Sequence, residues 1–123
     1  MKSILTFIVL AFLPFVSNTA YAQQEHLSSK ELAALVTSAR TPAEHERIAA
    51  WYRAQSERYS AEAAKHAQMA AEFRKNPTTN NTKMEQATVN HCEYVAKNLR
   101  AKALAANNLA QKHEEMARLA GGK

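Results

Sequence analysis

The residues with the clearest capacity for chemistry are histidines, methionines and one cysteine that recur in a duplicated pattern. The phrase Lys-His-x-x-Met-Ala occurs at 65–70 and again at 112–117. It closes a longer internal repeat in which residues 41–70 align without gaps on residues 88–117, with ten identities of which only four are alanine. An alanine-rich chain produces alanine matches by chance, but the other six identities indicate a true duplication. The repeat therefore offers the same metal-ligating residue types twice.

If the two copies pair as antiparallel helices, the candidate ligands gather at the two ends of the pair. The predicted turn-end cluster comprises His66, Met69, His91 and Cys92. The predicted open-end cluster comprises His45, His113 and Met116. Because soft sulfur selects Cu(I) and imidazole also accepts Cu(II), these donors predict copper, with zinc as the alternative where Cys92 is present. The competing interpretation is that the same residues only pack and hydrogen-bond within a core.

Sequence signals for catalysis are absent. The chain has no aspartate and no Cys-x-x-Cys-His sequence for haem attachment. It also lacks the Glu-x-x-His pair of di-iron bundles and the His-Glu-x-x-His of zinc proteases. We therefore expect a protein that is not an enzyme.

The N-terminus has the composition of an export signal. Lys2 is followed by an apolar stretch at 4–16 and a small-x-small sequence, Ala-Tyr-Ala, at 20–22. We expect cleavage following Ala22, which leaves one domain, residues 23–123, in the periplasm or secreted. No later segment approaches the roughly 20 apolar residues of a membrane span. After cleavage the chain has 15 basic and 11 acidic residues, interleaved along the sequence. The absence of a basic block argues against nucleic-acid binding.

The composition after the signal favours helix, because alanine, leucine, glutamate, lysine and arginine dominate and the first glycine is Gly121. Three capping-box patterns begin at Ser28, Thr41 and Thr82, each with a glutamate three residues later. The predicted helices are residues 29–39, 42–75 and 83–119. A proline and a run of Asn and Thr at 76–81 predict the turn between the long pair.

Large residues recur at helical spacing and predict which faces meet. In the second helix the heptad series is His45, Tyr52, Tyr59, His66 and Phe73. In the third helix one arc contains Met84, His91, Val95, Lys102, Leu109, His113 and Met116. The predicted fold is all-α: an antiparallel hairpin of two long, internally duplicated helices plus a short N-terminal helix. Polar residues at the matching positions three residues after this series, such as Gln55 and Glu62, leave dimerisation into a bundle as an open alternative.

A sequence pattern also resembles a known group. Thr-Pro-x-Glu-His at 41–45 opens an alanine-rich helix that closes in His-x-x-Met-Ala at 66–70. This pattern is similar to that of small exported bacterial helical proteins of uncharacterised function, and the resemblance implies a helical fold and export but no activity. Two functions follow from the residues: an exported protein that sequesters or carries copper, or an envelope module that binds a partner helix without a metal. A cationic surface-binding protein is a third, weaker alternative.

Overall fold

The described part of the chain is an all-helical hairpin with a short third helix beside it. The computed structural model describes residues 27–76 and 82–122. In chain order the helices are α1 (Ser29–Ser38), α2 (Pro42–Lys75) and α3 (Thr82–Gly121). Helices α2 and α3 pack closely against each other, and α1 packs on α2, so the predicted fold class is confirmed. The predicted export signal and residues 77–81 of the predicted turn lie outside the described residues.

Capping boxes define where α1 and α2 begin. The Ser28 hydroxyl accepts from the Glu31 amide at 3.3 Å, and the Glu31 carboxylate accepts from the Ser28 amide at 2.7 Å. Thr41 and Glu44 repeat this exchange at 3.3 and 2.9 Å, ahead of a proline that has no amide to satisfy. Helix α3 begins at Thr82 itself, one residue earlier than predicted. Thr82 is therefore inside the helix rather than at its cap.

The contact between α2 and α3 is a stripe of small residues spaced seven apart. The α2 stripe consists of Ala49, Ser56, Ala63 and Ala70. The α3 stripe consists of Val89, Ala96, Ala103, Ala110 and Ala117. In the described residues, nine of the thirteen buried apolar residues are alanine, so the core is built mainly from methyl groups. Because the distance between helix axes depends on the side chains at the contact, alanine permits close approach.

A hydrogen bond at the centre of the hairpin shows how close the two helices are. The Ser56 hydroxyl donates to the backbone carbonyl of Ala103 at 2.8 Å, across the helix pair rather than back along its own helix. Ser56 and Ala103 are equivalent positions of the internal repeat. The bond therefore lies where a pseudo-twofold axis relates the two copies.

The stripe corrects the predicted contact faces. Met84, His91, Lys102 and Leu109, which belong to the predicted arc of α3, are exposed. The predicted heptad series of α2 is half-buried and lies beside the stripe rather than in it. The physical reason is that the sequence prediction followed large residues. Close helix packing instead places the smallest side chains in the centre and moves large ones to the edges.

The two sides of the hairpin differ in chemistry. One side carries cross-helix ion pairs, Arg53 with Glu114 and Arg74 with Glu93, and their exposure limits each contribution to about 0–1 kcal/mol. The other side, here called the aromatic flank, carries the half-buried residues Tyr52, Tyr59, His66 and Phe73 of α2. No helix within residues 27–76 and 82–122 is long and apolar enough to cross a membrane.

Helix α1 covers one end of the aromatic flank. Leu32 and the half-buried Leu35 pack with Ile48, Trp51 and Tyr52, and Ile48 is fully buried. The Trp51 indole N–H also donates to the backbone carbonyl of residue 27 at 2.9 Å, which holds the start of α1 against α2. The Trp51 ring thus packs against apolar residues while its indole N–H has a hydrogen-bond acceptor, as buried indoles require. Helix α1 therefore packs against α2 at the open end of the hairpin, where α2 begins.

The alanine stripe can be tested by enlarging one of its members. We expect Ala63→Leu to destabilise the protein by about 1–3 kcal/mol, because Ala63 is 1% exposed and extra methylenes must push the helices apart. Ala64→Leu makes the same chemical change at the adjacent, exposed position and should change stability little. Urea unfolding of both variants measures the difference. Equal losses would show that the stripe does not set the helix separation.

Candidate metal centre

Two histidines face each other across the open end of the hairpin. The Nδ1 atoms of His45 and His113 are 3.1 Å apart, and the ring centroids are 5.4 Å apart with an interplanar angle of 34°. His45 lies in the first turns of α2, whereas His113 lies near the end of α3, so the antiparallel pairing brings them together. His113 is only 7% exposed. The sequence prediction that these two residues meet is therefore confirmed.

Aromatic side chains hold the His113 ring in place. Tyr52 stacks on it with ring centroids 6.1 Å apart and an interplanar angle of 19°. The Trp51 and Tyr52 rings meet edge to face with their centroids 5.2 Å apart. Trp51 is itself hydrogen-bonded to the carbonyl of residue 27, just before α1. All three helices therefore contribute to the orientation of one imidazole. Sequence reasoning had no signal for this role, because spacing within one helix does not reveal which ring stacks on a residue of another.

The surroundings keep His113 neutral. Burial lowers the pKa of His113, and the nearby positive charges of His45 and Lys112 lower it further. A neutral imidazole has one ring nitrogen with a free lone pair and one that carries a proton. In the hydrogen-bonded pair one Nδ1 donates and the other accepts. If the proton of the donating ring moves to its own Nε2, both Nδ1 lone pairs point at the space between the rings.

The separation of the two Nδ1 atoms is close to that of two imidazole ligands on one metal ion. Zinc–imidazole distances of about 2.0–2.1 Å at a tetrahedral angle place two ligand nitrogens about 3.3 Å apart. The observed Nδ1 separation of 3.1 Å is a few tenths of an ångström shorter. Met116, the third predicted ligand at this end, is half-buried and lies three residues beyond His113 on α3. The pair can supply two nitrogen ligands, and a third ligand would have to come from such a neighbour.

The turn end has a different arrangement from the predicted four-residue cluster. Cys92 is 3% exposed and packs with Ala70, Val89 and Phe73. The Nδ1 atom of His66 is buried without a hydrogen-bond partner. These two residues correspond through the repeat to His45 and His113, in the order Cys92 to His45 and His66 to His113.

The other two predicted turn-end ligands point elsewhere. His91 is exposed, since neighbouring residues on a helix diverge by about 100°, and Met69 is 45% exposed. In the part of the chain that the structure describes, no three His, Cys, Asp or Glu side chains form a group that could hold a metal ion. His66, His91 and Cys92 are therefore not assembled as a three-ligand site. The paired imidazoles of the open end are the better-formed candidate.

Comparison with protein-family models, with curated proteins and with solved structures finds no match for this chain. Its resemblance to small exported helical proteins therefore stays a prediction. Any function must be argued from its own residues and geometry.

The lowered pKa of His113 predicts how stability depends on pH. As pH falls through about 6.5, the unfolded chain takes up a proton at this residue before the folded chain does, so the folded state loses stability on acidification. We expect His113→Gln to reduce this loss between pH 7.5 and 5, and His91→Gln, at an exposed position, to leave it unchanged. The capping residues Glu31 and Glu44 have lowered pKa values and titrate below that window.

Thermal unfolding across the pH range measures this effect. If the unfolding temperature of His113→Gln falls with pH as steeply as that of the wild type, burial of His113 does not control the loss of stability in acid.

Proposed function

We propose that this chain is an exported, non-enzymatic helical protein that binds one copper ion between His45 and His113. The observation that supports this most is the 3.1 Å approach of two Nδ1 atoms on different helices. Each imidazole presents its Nδ1 atom to the other, and burial keeps His113 neutral. Two such nitrogen atoms are suited to bind one cation between them. In the proposed role the protein sequesters or carries copper outside the cytoplasm, after cleavage following Ala22.

Binding requires two changes at the pair. The proton shared between the Nδ1 atoms moves so that both rings carry their proton on Nε2, and the Nδ1 atoms separate slightly to admit the ion. Met116 would supply a thioether to such an ion by a change of rotamer, since it lies three residues beyond His113 and methionine has several rotatable bonds. Thioether together with imidazole favours copper over zinc, since soft sulfur selects Cu(I). Zinc remains the alternative for a site that uses the imidazoles alone.

The duplication supports the proposal independently of the pair. The residue equivalent to His45 is Cys92, and the residue equivalent to His113 is His66, so both ends of the hairpin place potential ligands at the same two positions. Residues chosen only to fill an alanine core would not need to be imidazole or thiol, because burying an unpaired polar group costs free energy. The turn end has one imidazole and one thiol at these positions, and the proposal assigns the copper ion to the open end, where two imidazoles meet.

Native mass spectrometry with Cu(I), Cu(II) and Zn(II) tests the proposal. We expect one tightly bound copper ion per chain that His45→Ala and His113→Ala each abolish, because each removes one of two cross-helix ligands. His91→Ala removes an exposed histidine outside the pair and should retain the ion. Affinity should fall at low pH, where protons compete for the imidazole nitrogens.

A further variant separates the two ends. Cys92→Ala should leave the open-end site intact, because the ends are about 30 Å apart at a rise of 1.5 Å per residue and share no ligand. Circular dichroism checks that each variant is folded. Copper binding that survives both His45→Ala and His113→Ala in folded protein would contradict the proposal, and so would a wild-type chain that binds no metal.

The alternative function is an envelope interaction module without a metal. Large exposed apolar side chains favour it, including Leu104 and Leu119, which are 61% and 59% exposed. A groove of about 520 Å³, with Met69 and Phe73 in its lining, adds an apolar surface near the end of α2. If copper binding fails, this function takes first place.

A further inference from the structure

The path of α1 shows where the chain ahead of it starts. The indole N–H of Trp51 donates to the carbonyl of residue 27, and Ala39, at the far end of α1, packs with Ile48. Helix α1 therefore runs antiparallel to α2, from the level of Trp51 back to the start of α2. The chain that precedes residue 27 thus leaves the described structure at the level of Trp51, on the side of α1 nearer the turn end of the hairpin.

An apolar groove lies further along the same line of α2. It has a volume of about 520 Å³, with Met69 and Phe73 in its lining. Met69 follows Trp51 by 18 residues, which make about five full turns of an α-helix, so the two residues lie on the same face of α2. Among the described residues only those of α2 line the groove, and the surface of a single helix is convex. Another segment is therefore needed to close the groove on the side opposite α2.

We infer that residues 4–16, the apolar stretch of the predicted export signal, occupy this groove for as long as the signal remains attached. The stretch has no charged residue and contains three of the four phenylalanines of the chain. Packing such side chains against Met69 and Phe73 removes apolar surface of both partners from water, which favours the contact. Lys2, just ahead of the stretch, is basic, whereas Glu72 in the groove lining is acidic, so the charges also match.

The length of the connecting chain allows this placement. At a rise of 1.5 Å per residue, Met69 lies about 27 Å from Trp51 along α2. Residues 17–26 join the apolar stretch to residue 27, and ten residues span up to about 33 Å when fully extended. The stretch therefore reaches the groove without any change in α1 or α2. Because a short linker gives its two ends a high effective concentration, docking within one chain is favoured over docking between two chains.

The contact makes access to the groove depend on cleavage. While residues 4–16 fill the groove, no other apolar segment can bind there. Cleavage following Ala22 releases them and uncovers Met69 and Phe73. This consequence rests on the export and cleavage of the proposed function, whereas the docking itself requires neither cleavage nor copper. In the uncleaved chain the signal is thus an internal blocker of the groove.

Oxidation of methionine by hydrogen peroxide tests the inference in the purified, uncleaved full chain with a metal chelator present. Met69 and Met84 are 45% and 54% exposed on their helices, so without a docked segment they should be oxidised at similar rates. We expect Met69 to be oxidised several-fold more slowly than Met84, as measured by peptide mass spectrometry. The double variant Leu10→Gln/Phe12→Gln should remove this protection, because it makes the stretch polar. Leu104→Gln makes the same kind of change at an exposed position of α3 and should retain the protection.

Circular dichroism checks that each chain keeps its helices. Equal oxidation rates of Met69 and Met84 in the wild-type chain would overturn the inference, and so would protection of Met69 that survives the double variant or is lost equally in Leu104→Gln. Protection that weakens on dilution would also overturn it, because the occupant would then be a segment of another chain. The chelator and the uncleaved chain ensure that failure of docking is observed separately from failure of copper binding or of export.

Discussion

The close approach of α2 and α3 is the constraint on which the rest of the structure depends. Alanine at seven-residue intervals on both helices allows it, and the Ser56 hydroxyl, one of the shortest polar groups, reaches the carbonyl of Ala103 because of it. With the backbones this close, no large side chain fits between them. Histidines, tyrosines and the cysteine are therefore displaced to the edges of the contact, where their polar atoms can meet across the helices.

An alanine core has energetic consequences. Burying a methyl group contributes only about 0.8 kcal/mol. The stability of the α2–α3 contact therefore comes from the number of methyl groups along it and from the close approach of the backbones, rather than from bulky side chains. The larger apolar contribution comes from the open end, where Leu32 and Ile48 are buried together with the aromatic residues Trp51 and Tyr52. Tyr52 of this cluster also stacks on His113, and burial lowers the pKa of His113. The His45–His113 pair therefore lies beside this apolar cluster and is joined to it through Tyr52.

The duplicated halves have the same framework and different surroundings. Where the first copy has Trp51, which anchors the start of α1, the second has Asn98, which is exposed. Where the first has His45, the second has Cys92. These two substitutions leave one end of the hairpin closed by α1 and the other open on its aromatic flank. Our proposal for copper at the open end follows from this asymmetry within a repeated framework.

Helical content, the starts of α1 and α2 and the antiparallel register follow from the sequence. Capping boxes at Ser28 and Thr41 depend on residues three apart, and the repeat sets His45 opposite His113 once the chain reverses. Such features are local or follow from one reversal, so one-dimensional spacing is enough to predict them. The sequence also contains the alanine stripe, but the prediction followed the larger residues and chose the adjacent faces.

Only the tertiary structure decided which candidate ligands come together. The separation of His91 from Cys92, the stacking of Tyr52 on His113 and the unpartnered Nδ1 of His66 depend on helix rotation and on contacts between helices. A rotation of a few tens of degrees leaves the sequence pattern unchanged but moves a side chain from the contact to solvent. Helix rotation is set by the sum of packing contacts along the pair, and for that reason it could not be predicted from the spacing of any one set of residues.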